Sequence, residues 1–380
     1  MKKIVLASAI SALFAAPATV LAQAKPPAVP TLDKVFEASG ITASGYIDAG
    51  YSYSNRNLEG TSGVPGAVST RVFDSQNNSF VLHQVGLTMA KQPKEGFGGL
   101  VNFTVGKDAQ TIHSFPEVNT AVAPANSTSM FDVTQAYLQY AGGPITIIGG
   151  KFTTLHGTEV IASSGNNNIS RSILFGAVPF THTGLRATWA ASDAVSVIAG
   201  VNNGWDQLTD ANRGKTAELG VTLTPIKPLS ITVSGYSGSE PTANGNGTRT
   251  SENLVASWAF TDAFSVGLEY LNFSQDNALA GGAKAKYSGY AGYVTFMPTP
   301  KWRAVVRLES FDDHDGFRFA TAGQVKYKEG TLTLAYVASD SFELRGEVRE
   351  DKADTAVFAT YDGNTSKTLM TLALQGLYKF

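Results

Sequence analysis

From Ile41 to the final residue, Phe380, the sequence keeps a period of two in segments of roughly ten residues, and this pattern constrains the fold more than any other feature. In ITASGYIDAGYSY, Ile41, Ala43, Ile47, Ala49, Tyr51 and Tyr53 are apolar or aromatic, while Thr42, Ser44, Asp48 and Ser52 alternate with them. One face is greasy and the other wet. The pattern recurs at 79–91, 97–107, 131–141, 144–151, 182–191, 193–202, 215–224, 228–237, 249–260, 263–274, 285–297, 300–312, 323–338, 341–350 and 366–380. With the first segment these make sixteen candidate strands.

The connections sort themselves by length. Long ones (55–78, 108–130, 152–181, 203–214, 238–248, 275–284, 313–322, 351–365) alternate with short ones such as QPKEG, GG, PIKP and PTP. Short turns at one end and long loops at the other are the mark of an outer-membrane barrel. A soluble sandwich has no reason to sort its loops, and a solenoid would show a fixed-period repeat, of which the sequence has none.

Composition agrees with a β wall. Charged residues are 16%, against roughly 25% in a typical soluble protein, and Gly (38), Phe (21) and Tyr (14) are frequent. Net charge is −2 with no Lys/Arg cluster, so a nucleic-acid partner has no electrostatic footprint. Zero cysteines exclude a disulfide framework, a thiolate metal site and a cysteine nucleophile.

Met1 to Ala24 carries Lys2-Lys3, an apolar run from Ile4 to Phe14 and small residues at its end, the pattern of a secretory signal peptide cleaved after Ala22 or Ala24. Residues 25–40 read as a periplasmic leader, Pro-rich and then helical for a turn from Leu32 to Ala38. No later stretch approaches the ~20 apolar residues of a spanning helix. Membrane insertion therefore requires a closed antiparallel barrel over residues 41–380, since only that other structure satisfies every backbone group in lipid.

A period-two wall in lipid forces its charges inward, because an Arg or Lys facing the bilayer midplane costs about 2–4 kcal/mol. The alternation places Asp48, Arg186, Glu218, Glu269, Arg303, Arg307, Glu309, Glu343, Arg345, Glu347, Arg349 and Lys367 on the lumen side as pore-lining residues. Mutual pairing across neighbouring strands is their expected main role, with contact to ions and solutes as a by-product. Segment 152–181 mixes apolar residues with Gly, Ser and Asn and a few polar heads, His156, Glu159 and Arg171. So long an irregular insertion is usually functional. Its composition suits a partly wet cavity, and it is expected to fold inward as a constriction loop.

In the last segment Met370, Leu372, Leu374, Tyr378 and Phe380 share one face. This strand is expected to close against the first and to offer its terminal Phe380 to the barrel-assembly machinery. Left open as a soluble edge it would be an aggregation hazard.

Three enzyme-like constellations carry less. His156 and Glu159 lack a third ligand for a metal. Ser163, Ser164, Ser170 and Ser172 near His156 or His182 lack a nucleophile elbow. Asp312-Asp313-His314-Asp315-Gly316 resembles part of a calcium loop but has no downstream glutamate at the proper spacing, and a tight turn is favoured. Asp206 and Asp210 read as loop-fixing. No cofactor, metal or catalytic residue is assigned.

Several stretches, SGITASGYIDAGYSY, FDVTQAYLQY, GKFTTLHGTEVI, SRSILFG, PFTHTGLRATW, NGWDQLTDANRGKT, FDDHDG and LRGEVREDKAD, resemble the OmpL-like putative outer-membrane porin family along most of the mature chain. The run from Gly150 to Trp189 is the most specific. The resemblance implies a β-barrel pore in the outer membrane of a Gram-negative bacterium, with lipid outside and small hydrophilic solutes and ions inside. It supplies no preferred solute and leaves the oligomeric state open. Sixteen strands leave a water-filled channel and the positive and negative residues assigned to its lumen cancel, so the expected function is a weakly ion-selective diffusion porin. The alternative from another class is an outer-membrane barrel hydrolase.

Overall fold

The structure, a computed structural model, describes residues 31–59, 64–114 and 128–380. The signal peptide read at 1–24 and the first part of the leader lie outside the described residues. Leu32–Ser39 forms a helix, α1, whose last turn is closed by the Ser39 hydroxyl donating to the Phe36 carbonyl at 2.8 Å.

From Thr42 onward the chain builds its wall. The strands are β1 (Thr42–Ser54), β2 (Ser79–Lys91), β3 (Gly96–Val105), β4 (Phe131–Gly142), β5 (Ile145–Thr153), β6 (Thr181–Ser192), β7 (Val195–Asn202), β8 (Thr216–Ile226) and β9 (Leu229–Thr242). They continue with β10 (Gly245–Thr261), β11 (Phe264–Gln275), β12 (Ala285–Thr299), β13 (Trp302–Asp313), β14 (Val325–Ser339), β15 (Phe342–Ala353), a small hairpin β16 (Phe358–Ala359) and β17 (Thr365–Ser366), and β18 (Thr368–Lys379). All but β16 and β17 join one closed antiparallel barrel of sixteen strands, in which each pairs with its neighbour in sequence and β18 pairs with both β15 and β1. At that seam Tyr46 lies opposite Lys379 and Ser54 opposite Thr371. Gly45 and Phe380 exchange backbone hydrogen bonds of 2.8 and 2.9 Å. A Cβ on Gly45 would lie 2.5 Å from the Phe380 ring, so any side chain there would have to displace that ring.

The alternation in sequence becomes an alternation in burial. Along β15 Phe342, Leu344, Val348 and Glu350 are exposed, while Glu343, Arg345, Glu347, Arg349 and Asp351 are buried. A soluble protein inverts this arrangement. The exposed face carries Leu138, Leu185, Leu219, Leu268, Leu308 and Leu374, each more than half exposed. Aromatic pairs flank this apolar band. Trp302–Tyr336 (5.1 Å), Trp258–Phe260 (4.4 Å) and Phe97–Tyr140 (5.0 Å) lie toward the short turns, and Tyr51–Phe80 (4.8 Å) and Phe103–Phe131 (5.7 Å) toward the loops. Such girdles mark the two interfaces of a membrane barrel. On the loop side β14 and β15 run past the girdle, and there the outer face turns charged with Lys326, Lys328, Glu350 and Lys352.

One connection differs from its reading. Residues 238–248 are not a long loop: β9 and β10 continue their ladder through Gly245–Thr242, joined only by Ala243 and Asn244. Gly, Ser, Asn and Thr there resemble a loop in composition, but the strands project into solvent, where a polar outer face costs nothing. Asn244 ties the tip to the next loop by donating to the Asn277 and Leu279 carbonyls at 3.1 and 2.8 Å.

The apolar core is not a layer between sheets. Leu58, Val68, Trp205, Val357 and Phe358 from the long loops pack with Ile173, Leu174 and Val178 against the buried face of the upper wall at Leu271, Phe273, Tyr287, Phe311 and Leu369. Phe273 stacks on Tyr287 at 4.0 Å.

Candidate functional site

Residues 154–180, between β5 and β6, contain only single-turn helices, including α2 at Ile173–Gly176. Most of their backbone N–H groups therefore find no partner in a ladder, and buried donors must be satisfied elsewhere. Wall side chains satisfy them. Glu347 on β15 accepts from the Ile169 and Ser170 amides at 2.7 and 2.9 Å, and Glu309 on β13 accepts from Ile173 and Leu174 at 2.8 and 2.6 Å. Glu269 on β11 accepts from the Thr158 amide at 2.8 Å, and Asn253 on β10 from Gly157 at 3.0 Å. Across the barrel, Gln84 on β2 accepts from the Ser163 amide at 3.1 Å and donates to the Ile161 carbonyl at 2.9 Å. Bonds accepted by an ionised carboxylate are about twice as strong as neutral ones such as those of Asn253 and Gln84.

The three polar heads of the segment have separate tasks. His156 places Nδ1 2.8 Å from Ser234 Oγ on β9 and Nε2 2.9 Å from Ser251 Oγ on β10. Burial pushes its pKa down to about 3, with the nearby His182 acting in the same direction, so the ring is neutral at pH 7. Glu159 bonds Arg307 at 2.6 Å and accepts from the Ser172 amide at 2.7 Å. Arg171 staples the segment to itself: it donates to the Val160, Ile161 and Ile169 carbonyls at 3.0, 3.0 and 3.1 Å, and its guanidinium lies 5.3 Å from the Phe73 ring centre. Glu159 and Arg171 thus do not face each other across an opening.

Arg307 is the main junction between segment and wall. Besides Glu159 it reaches Glu329 at 3.1 Å, the Ser170 carbonyl at 2.9 Å and the Ser170 hydroxyl at 3.0 Å. From there a ladder of ion pairs climbs through Arg349, 3.6 Å from Glu329 and 2.7 Å from Asp351, to Arg71 of the first long loop, 2.8 Å from Asp351 and 2.7 Å from Asp74. Elsewhere Arg186 forks onto Glu218 at 2.6 and 2.8 Å, while Arg345 and Arg303 both bond Glu343. Asp48 is buried on β1. Lys367 stands apart, exposed in the bend before β18.

Sequence reasoning did not single out Glu329, Asp351, Arg71 or Asp74. Glu329 and Asp351 share the buried parity of β14 and β15, with Tyr327 and Thr331 beside the first and Arg349 beside the second, and that phase was the available signal. Arg71 and Asp74 lie in a loop without periodicity and had none.

The enzyme-like constellations are occupied otherwise. Ser172 caps α2 by accepting from the Phe175 amide at 3.0 Å, and Ser170 bonds Arg307. The Asp313 carboxylate accepts from the Arg318 and Phe319 amides, each at 3.1 Å, and Asp315 from Lys286 at 2.8 Å, so these carboxylates fix turns. Asp206 accepts from the Phe180 and Thr181 amides at 2.8 and 2.9 Å and fastens the far end of the segment. Asp210 accepts from Asn212 and Arg213 within its own loop. Between the segment and strands β3 to β5 a cavity of about 230 Å³ remains.

Residues 40–380 match the family model described as putative beta-barrel porin-2, OmpL-like. A comparison with curated proteins finds no match. Among solved structures, the chain is similar to the anion-selective porin from Comamonas acidovorans, with a TM-score of 0.63 and 12% identity over 90% of this chain and 99% of that one. It is also similar to the outer-membrane channel DcaP of Acinetobacter baumannii, with a TM-score of 0.59 and 14% identity over 90% and 97%. The trimer form of in-vitro folded OmpT from Vibrio cholerae gives a TM-score of 0.59 and 11% identity over 90% and 99%.

Proposed function

The chain belongs to the putative beta-barrel porin-2, OmpL-like family, and on that premise we propose that it is a weakly ion-selective diffusion channel for small hydrophilic solutes in the outer membrane of a Gram-negative bacterium. In this reading residues 154–180 cross the lumen and set its width. The observation that carries it is that this one segment bonds β2 and also β10, β11, β13 and β15 on the buried side of a closed wall. A path through the interior reaches all of them. Asp48, Arg186, Glu218, Glu269, Arg303, Arg307, Glu309, Glu343, Arg345, Glu347 and Arg349 are then lumen-facing.

Weak selectivity follows from how these charges are used. Ion selectivity arises from rings of one sign at a constriction. Here each arginine of the ladder has a carboxylate beside it, and several glutamates are turned onto backbone amides of the segment. Screening over about 8 Å in physiological salt weakens any residual bias in a wide channel. In a planar bilayer with a tenfold KCl gradient, the reversal potential is expected to lie much nearer zero than the ideal limit for either ion. A value close to either limit refutes the weak selectivity.

We read the protein as a channel without catalysis. Both ring nitrogens of His156 bond wall serines and Nδ1 of His182 lies 3.0 Å from the Gly204 carbonyl, so neither ring has a carboxylate partner orienting it as a base, which weighs against the hydrolase alternative. The trimer form of OmpT supports an oligomeric assembly, and β18 with Phe380 is the strand proposed to engage the assembly machinery.

A further inference from the structure

The cavity beside the segment has two unlike sides. The wall side presents the amides and hydroxyls of Asn102 and Thr104 on β3, Thr134 and Gln135 on β4 and Thr153 on β5, beside the Tyr46 ring of β1. They already form a polar ladder: Thr104 and Thr134 hydroxyls are 2.7 Å apart, and Asn102 donates to Thr88 at 2.8 Å. The opposite side belongs to the segment, where Leu155, Val160, Phe175 and Phe180 give an apolar surface and Thr154, His156 and Glu159 also line the gap. Val160 is left 45% exposed although its neighbours on both sides in the chain are buried.

The ionisable groups nearest this gap are engaged elsewhere. Glu159 spends both oxygens on Arg307 and the Ser172 amide, and His156 spends both nitrogens on Ser234 and Ser251. Lys151 and Asp132, one step along the same strands, pair with each other at 3.4 Å. An ion entering the gap would lose water and meet only charges that already have partners, a costly exchange. A neutral solute with hydroxyls on one side and C–H groups on the other meets both surfaces at once.

We propose that this gap is the solute-selecting part of the passage and that it takes neutral polyhydroxylated molecules, small sugars and polyols, in preference to ions of the same size. Hydroxyls of the solute bond Thr134, Gln135 and their neighbours, while its C–H face lies on Val160, Phe175 and Phe180. This rests on the channel reading above and adds a substrate class to it.

The test uses purified full-length protein in planar bilayers, with glucose, gluconate and glucosamine titrated separately against the KCl current. Conductance alone is measured first. If the folded barrel conducts nothing, the channel reading fails, whereas the outcomes below bear only on the substrate class. Glucose is expected to block the current saturably, with the two charged sugars needing at least about tenfold higher concentration for the same block. Thr134→Val with Gln135→Leu should raise the half-blocking glucose concentration about fivefold, on the order of one lost hydrogen bond, with little change in the KCl conductance. Val160→Asp, at an exposed site that tolerates a polar side chain, should make glucosamine the better blocker. Equal block by all three sugars in the parent, glucose block unchanged in the double variant, or an unaltered order in Val160→Asp overturns the inference.

Discussion

Arg307→Met removes the junction between segment and wall while keeping most of its volume. The guanidinium makes bonds to Glu159, Glu329, Ser170 and Thr331, and it is fully buried. Breaking a buried pair by removing one partner costs about 3–5 kcal/mol, because the other charge is stranded. Here two carboxylates lose the partner, although Glu329 keeps Arg349 at 3.6 Å, so the lower half of that range applies. At 1.4 kcal/mol per factor of ten, the released form of the segment gains about two to three powers of ten in population. The barrel should persist, since the β13 ladder to β12 and β14 is backbone to backbone. Two measurements check this. Heat-modifiable migration should be retained, and trypsin should now cut at Arg171, which is buried in the parent. Single-channel conductance should rise and become noisy. Adding Glu159→Gln and Glu329→Gln removes the stranded charges and should recover part of the loss. If Arg307→Met keeps parental conductance and resistance to trypsin, or if the triple variant is no better than the single one, the junction does not hold the segment.

Three further outcomes are expected. Leu372→Arg puts a charge on the exposed apolar face of β18 and should cost about 2–4 kcal/mol of barrel stability, read from urea-driven unfolding in detergent or lipid. Deleting residues 157–168 should raise conductance while heat-modifiable migration survives, and unchanged conductance would place the segment off the path of ions. Acid should loosen the same segment: the folded pKa of His156 lies near 3, below its ordinary value of 6.5, so its contribution is complete above pH 6.5 and is lost as pH falls toward 3. At pH 5 the loss is about 2 kcal/mol, and His156→Gln should flatten the pH dependence of trypsin cleavage at Arg171.

The wall was legible because lipid outside and water inside impose opposite demands on consecutive residues, and period two is the only regular answer. Strand ends were less legible. At 238–248 the outer face leaves the apolar band, so a strand in solvent and a loop carry the same residues. The sign of the buried charges could be read, but not their partners. Glu309 and Glu347 looked like candidates for pairing with arginines of adjacent strands, yet they bind backbone amides of a segment more than a hundred residues earlier in the chain. Amide groups are present at every position and leave no mark in a sequence. What the sequence of 154–180 does show is the complement, a stretch without a ladder of its own and so in need of acceptors.

The seam between β1 and β18 joins strands farther apart in the chain than every other joint in the wall. All the remaining pairings join strands adjacent in the chain, apart from the small hairpin stepped over between β15 and β18, so they can form one hairpin at a time as the polypeptide is delivered. Without the seam the sheet would be an open ribbon with two bare edges, each a template for wrong partners. Pairing β1 with β18 removes both edges at once. The entropy of bringing the two edge strands together grows only with the logarithm of the chain between them. A hairpin gained or lost between β1 and β18 would change the girth of the wall while the same two strands, with Gly45 beside Phe380, still had to meet.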